Sequence, residues 1–128
     1  MAGTIVADTL QDGAGNSTAM DNAIYGSAKA WVNFNGNSGS VAIRAQYNVS
    51  SITYRGAGAY TVNFTNALTD ANYAPMGSFQ SNAGAGVCYG IDGGRTSAMA
   101  QTASACQIIL NTGGSSYDSI MVSFAAFR

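Results

Sequence analysis

The chain has 128 residues, 47% of them hydrophobic but only 9% charged, and a formal net charge of −1. Soluble domains carry about 25% charged residues, so amides, hydroxyls and glycine must keep this surface wet; they lose less on burial than ions do, which suits faces that meet other copies. The five basic residues, Lys29, Arg44, Arg55, Arg95 and Arg128, are scattered, and no apolar run reaches the roughly 18–20 residues of a membrane span, so neither nucleic acid nor membrane is an expected partner.

Residues 1–27 read as an N-terminal arm. Thr4, Ile5, Val6 and Ala7 suggest a short strand, residues 11–18 (QDGAGNST) a loop, and residues 19–25 show no firm period. An isolated strand needs another edge to pair its backbone, so Thr4, Ile5, Val6 and Leu10 are candidate contacts with a neighbouring subunit; a first strand of the following domain is the other reading. No basic-then-apolar leader opens the chain, which is expected to begin at or near Met1.

From residue 28 to 128 short strands recur between Gly, Asn and Ser turns, predicted at 28–34, 41–49, 52–54, 60–65, 73–80, 87–91, 97–101, 106–111 and 119–127. In the second of these Val41, Ile43, Ala45, Tyr47 and Val49 alternate with Arg44, Gln46 and Asn48, the period of a half-buried strand. Tyr60, Val62 and Phe64 repeat it. The last strand is weakly polar on both faces, so it is expected in the middle of a sheet. Residues 35–39, 55–59 and 112–116 read as turns. The expected fold is all-β, an antiparallel β-sandwich, jelly-roll-like, with an N-terminal arm; an immunoglobulin-like order is the competing topology. Its expected core joins Val32, Phe34, Ile43, Tyr47, Ile52, Tyr60, Val62, Phe64, Tyr73, Val87, Ile91, Ile108, Leu110, Val122 and Phe124. Alternation puts Trp31 on the outer face, where a large ring asks for cover, and a subunit contact is preferred to a ligand platform.

Five segments keep one order: AWVNFNG at 30–36, VAIR at 41–44, YNVSSIT at 47–53, YTVNFT at 60–65 and DANYA at 70–74. This block resembles bacteriophage virion proteins, chiefly tail-fibre tips and small capsid-decoration proteins, over a little more than a third of the chain. The resemblance implies a virion-surface structural protein made in the bacterial host cytoplasm. It implies as partners sister copies, as a homotrimer, and the major capsid protein or other virion proteins, with a host glycan for a fibre tip.

Equipment for catalysis is thin. The chain has no His and no Glu, so general acid–base work and serine activation lack their usual groups. Asp8, Asp12, Asp21, Asp70, Asp92 and Asp118 mostly sit beside Gly, Asn or Ser, where a carboxylate caps its own backbone. Cys88 and Cys106 cannot alone supply a four-ligand zinc site, and in a reducing cytoplasm they are expected as free, buried thiols. No catalytic residue, metal or cofactor is expected. Exposed loops around Asn37, Arg55, Asn82 and Arg95 are the candidate binding loops, with Tyr54, Tyr89 and Tyr117 as rings on which sugars can stack. A capsid-decoration (cement) protein is the first reading, and a short fibre or fibre tip that binds host surface glycan is the alternative.

Overall fold

The structure, a computed structural model, describes residues 3, 6–81, 84–86, 101–112 and 115–128. The arm forms a small hairpin, β1 (Thr9–Gln11) with β2 (Ser17–Ala19), followed at once by α1 (Met20–Gly26). The strands that follow are β3 (Ala28–Asn35), β4 (Ala42–Tyr47), β5 (Val49–Gly56), β6 (Ala59–Phe64), β7 (Ala74–Ser81), β8 (Gly84–Gly86), β9 (Ala105–Ile109), β10 (Asn111–Thr112), β11 (Ser115–Ser116) and β12 (Met121–Phe127). Among the described residues one sheet has the order β4-β3-β12-β7-β8, the second β5-β6-β9, and β10 pairs with β11 as a separate hairpin. Among the described residues every pairing within the two sheets is antiparallel, and the chain passes from one sheet to the other and back, so the fold is an all-β antiparallel sandwich.

Alternation builds the core. Ala30, Val32 and Phe34 of β3, Val122, Phe124 and Ala126 of β12, and Phe79 of β7 face Val49, Tyr60, Val62, Phe64, Cys106 and Ile108 of the other sheet. Rings lock the layers: Phe34 meets Tyr60 edge-on at 5.2 Å, and Phe64 lies 6.3 Å from Phe124. β12 is central, hydrogen-bonded to β3 on one side and β7 on the other, as its two weakly polar faces require. Cys106 is free and buried, and burial pushes its thiol up to about 11 against a lowering bond to Tyr73, so it stays protonated at neutral pH. The strands expected at 87–91 and, apart from Gln101, at 97–101 lie outside the described residues, as do Val87, Ile91 and Cys88; Gln101 makes an isolated bridge to Cys106.

Two expectations are corrected. The strand read across 41–49 is two strands in different sheets, broken at Asn48, whose φ of 54° is left-handed. Its Nδ2 donates to the carbonyls of Lys29 and Asn66, both at 3.1 Å, and its Oδ1 accepts from the Asn66 N–H at 2.8 Å, so the bend is pinned to β3 and to the segment after β6. Ile43 and Tyr47 are therefore not core residues. β4 lies at the sheet margin with all six residues exposed, and its extra residue Arg44 bulges opposite the Asn33–Phe34 step, so that Tyr47 pairs with the outward Trp31 and Ile43 with Phe34.

The arm carries structure of its own. Residues 9–19, read in part as a loop, pair with each other, and residues 20–26, read as having no firm period, close into two helical turns with no buried residue.

Replacing Asn48 tests the bend. Asn48→Ala forfeits both the tolerated left-handed backbone and the side-chain bonds and is expected to cost about 2–3 kcal/mol, whereas Asn48→Gly keeps the backbone and should cost about 1–2 kcal/mol, read from urea melts. Equal losses would show that the conformation is not under strain.

Candidate functional site

Three surface regions hold the functional candidates: the loop end of the sandwich, the outer face of the larger sheet, and the arm.

Asp118 organises the loop end. Its Oδ1 accepts from the Gly58 N–H at 2.8 Å and from the Tyr60 hydroxyl at 3.1 Å, and its Oδ2 from the Ser38 N–H at 3.2 Å and the Tyr54 hydroxyl at 3.1 Å. One carboxylate thus ties the β3–β4 loop, β5 and the β5–β6 hairpin to the segment that leads into β12. The Tyr60 proton has a second and closer acceptor, the Gly36 carbonyl at 2.6 Å, so that bond is its main one. Partial burial works to raise the Asp118 pKa, but the donated bonds from Gly58, Tyr60, Tyr54 and Ser38 together hold it below the ordinary carboxylate value. Burial and the same carboxylate push both tyrosines upward, so their hydroxyls remain protonated donors.

Two glycines make this packing possible. A Cβ on Gly36 would stand 2.6 Å from the Tyr60 hydroxyl. Gly58 has a φ of +69°, and its Cβ would lie 2.7 Å from the Leu110 carbonyl oxygen and 2.8 Å from the Tyr117 nitrogen.

The expected local capping by aspartate holds at two positions. Asp12 accepts from the N–H groups of Ala14 and Asn16, both at 2.9 Å, and from the Asn16 amide at 2.8 Å, which closes the β1–β2 hairpin; those bonds, the Asn16 side chain first, lower its pKa. Asp70 caps Asn72 at 2.7 Å and also takes a two-pronged bond from Arg128, which lowers its pKa. Asp21 lies in the first turn of α1 and not in a loop, and Asp118 also departs from the expectation, since it caps other segments and not its own. The sequence carried no signal for that role, because all four donors come from 58 to 80 residues earlier in the chain.

The candidate binding loops separate. Asn37 is exposed in the β3–β4 turn, beside Asp118's partner Ser38. Arg55 is not at a loop tip: it belongs to β5 and donates from Nε to the Thr61 hydroxyl at 2.9 Å on the outer face of the smaller sheet. Asn82, Arg95, Tyr89 and Asp92 lie outside the described residues. Tyr54 and Tyr117 are both partly exposed at the loop end.

On the outer face of the larger sheet one cross-strand row runs Tyr47, Trp31, Ala125, Met76. Trp31 points outward, as alternation requires, and is 40% exposed, with Tyr47 at 57% and Met76 at 60%. The next row is Ala45, Asn33, Ser123 and Ser78, where the Asn33 amide donates to the Ser123 hydroxyl at 3.0 Å. An open groove of about 440 Å³ lined by Gln46, Tyr47, Asn48, Thr65 and Asn66 borders the aromatic row.

The arm is equally uncovered: Val6 is 92% exposed, and Leu10, Ile24 and Tyr25 are also open to solvent. Of the other candidate arm contacts, Thr4 and Ile5 lie outside the described residues. No group of three or more His, Cys, Asp or Glu side chains able to hold a metal occurs among the described residues. No protein-family model, curated protein or solved structure matches the chain.

Asp118→Asn keeps the shape but replaces one acceptor oxygen with a donor facing N–H or O–H groups, and is expected to cost about 1–3 kcal/mol. The pH dependence follows from the lowered pKa. Asp118's contribution is complete above the unfolded carboxylate value, about 4, and is lost as pH falls through the lower folded value. Acid titration of the two proteins should therefore show a smaller loss of stability in the variant below pH about 4; parallel acid curves would deny Asp118 this role. Gly58→Ala is expected to cost about 3 kcal/mol or more, since it combines an unfavourable backbone conformation with overlap against two backbone segments. A thermal midpoint unchanged from the parent would contradict the close approach.

Proposed function

We propose that this chain is a non-catalytic structural protein of the bacteriophage virion, a capsid-decoration protein that self-associates and strengthens the shell by bridging capsid subunits. The observation that carries the reading is the mismatch between saturated polar groups and unsatisfied apolar ones. Asp12, Asp70 and Asp118 all spend their oxygens on holding loops, while Trp31, Tyr47, Met76 and the arm's Leu10, Ile24 and Tyr25 lie open. Single exposed apolar residues are ordinary, but a row of them on a sheet and an arm without a buried residue among those described mark surfaces that meet other proteins. The ordered motif block from 30 to 74, which resembles virion proteins, supplies the setting.

The mechanism is mass action. A subunit whose contacts exist only on the assembled shell stabilises that shell by its binding free energy, and many modest contacts sum through multivalency. The partners in this reading are sister copies, as a homotrimer, and the major capsid protein, and the place of action is the virion surface.

A second reading, a fibre tip that binds host surface glycan, is favoured by the loop end. There Asp118 fixes Tyr54 in place, and Tyr117 and Asn37 stand exposed beside it, a rigid set of ring and amide groups of the kind that recognise sugars.

Copy number in purified virions separates the two. A decoration protein is expected to approach the major capsid protein in band intensity on a stained gel, and shells stripped of it should rupture at lower temperature or lower salt stress than decorated ones. A band far below stoichiometry, with shells equally robust without it, would defeat the decoration reading; loss of host adsorption in a Tyr54→Ala, Tyr117→Ala phage would then support the tip.

A further inference from the structure

The arm is acidic, and the β4 margin of the outer face carries an exposed arginine. Residues 1–27 contain Asp8, Asp12 and Asp21 and no Lys or Arg, a formal charge of −3. Residues 28–128 hold all five basic residues against Asp70, Asp92 and Asp118, a formal charge of +2, the two parts making up the chain's −1. One of those basic residues, Arg44, is exposed on β4, the strand that ends in Tyr47.

The arm does not cover the aromatic row of its own chain. Only Ser27 separates α1 from β3, and the Lys29 ammonium donates to the Ile24 carbonyl, which holds the helix at the root of β3. With the arm so placed Trp31 and Tyr47 stay exposed, and so do Ile24 and Tyr25. Each chain therefore has one donor surface and one acceptor surface, both unfilled.

We propose that the arm of one copy docks on the β3–β4 side of the outer face of the next copy, its Leu10, Ile24 and Tyr25 covering Trp31 and Tyr47 and its acidic side turned toward Arg44. The occupant is a second copy because charge selects it. Face against face would bring Arg44 toward a second Arg44, and arm against arm would set −3 against −3, whereas arm against face pairs opposite signs. Such a contact is heterologous: every copy gives one arm and receives one, and the chain of contacts closes into a ring when the rotation permits, three copies making the trimer. This deepens the self-association proposed above and does not depend on whether the protein sits on a capsid or a fibre.

The test uses full-length protein and four exposed residues outside the core. An arm variant, Leu10→Ser with Tyr25→Ser, keeps its acceptor face, and a face variant, Trp31→Ser with Tyr47→Ser, keeps its arm. Light scattering on a sizing column is expected to show a closed oligomer for the parent and monomers for each variant alone. An equimolar mixture of the two variants should form one-to-one pairs, because a single intact arm–face contact remains. As a second measurement with little risk to folding, Arg44→Glu should weaken parent association about tenfold at low salt, with the difference shrinking as salt rises. A monomeric parent, an arm variant that still associates, or a mixture that stays monomeric while circular dichroism reports folded chains would each overturn arm exchange. The gel band ratio in virions is independent of all three, so failure here and failure of the capsid assignment can be told apart.

Discussion

Tyr60 is fully buried between the sheets, and a buried phenol must find a partner for its hydroxyl or lose the free energy gained by burying its ring. The sandwich solves this at its loop end. The ring packs edge-on against Phe34 and Tyr54, and the hydroxyl reaches the Gly36 carbonyl and Asp118. From that requirement follow Gly36, which leaves room for the phenol, Asp118, which gathers four donors, and Gly58, whose N–H is one of them. The two sheets and three connecting segments are thereby tied at one point where core packing and polar satisfaction meet.

A chain with so few charges has little choice about its polar groups. Each of three aspartates is consumed in holding the fold, and the Arg128–Asp70 pair, exposed on both sides, is of the kind that adds little stability despite its two-pronged geometry. What is left for contact with the outside is largely apolar, the aromatic row and the open side chains of the arm, with Arg44 on β4 and Asp8 and Asp21 in the arm as its charges. The association proposed above draws on these surfaces, since area and shape decide such contacts.

The legibility of the fold in the sequence varied with how local each determinant was. Strand existence was readable from period-two alternation, as at Tyr60, Val62 and Phe64, which are all buried, and at Trp31, which faces out. The hairpin at Gly56–Gly58 was readable from its glycines, both at positive φ. Ile43 and Tyr47 were misread for different reasons: the extra β4 residue at the bulge breaks the alternation, so Tyr47 lies opposite Trp31 on the outer face, while Ile43 lies opposite Phe34 at a margin that leaves it exposed. Asn48 was misread for a further reason: its left-handed bend is held by the carbonyls of Lys29 and Asn66, which nothing near it in the chain announces. The same holds for Asp118, legible as a turn aspartate but not as the meeting point of three distant segments.

The sequence by itself determined that this is an all-β chain with short strands, many turns and a final strand apolar enough to be central, since side-chain alternation and turn chemistry act over a few residues. Only the tertiary structure decided where the strand through Asn48 breaks between sheets, which apolar residues end up covered, and that the arm folds on itself and leaves its apolar side open. Those outcomes depend on the finite width of each sheet and on hydrogen bonds between segments 18 to 80 residues apart, and no local pattern encodes them.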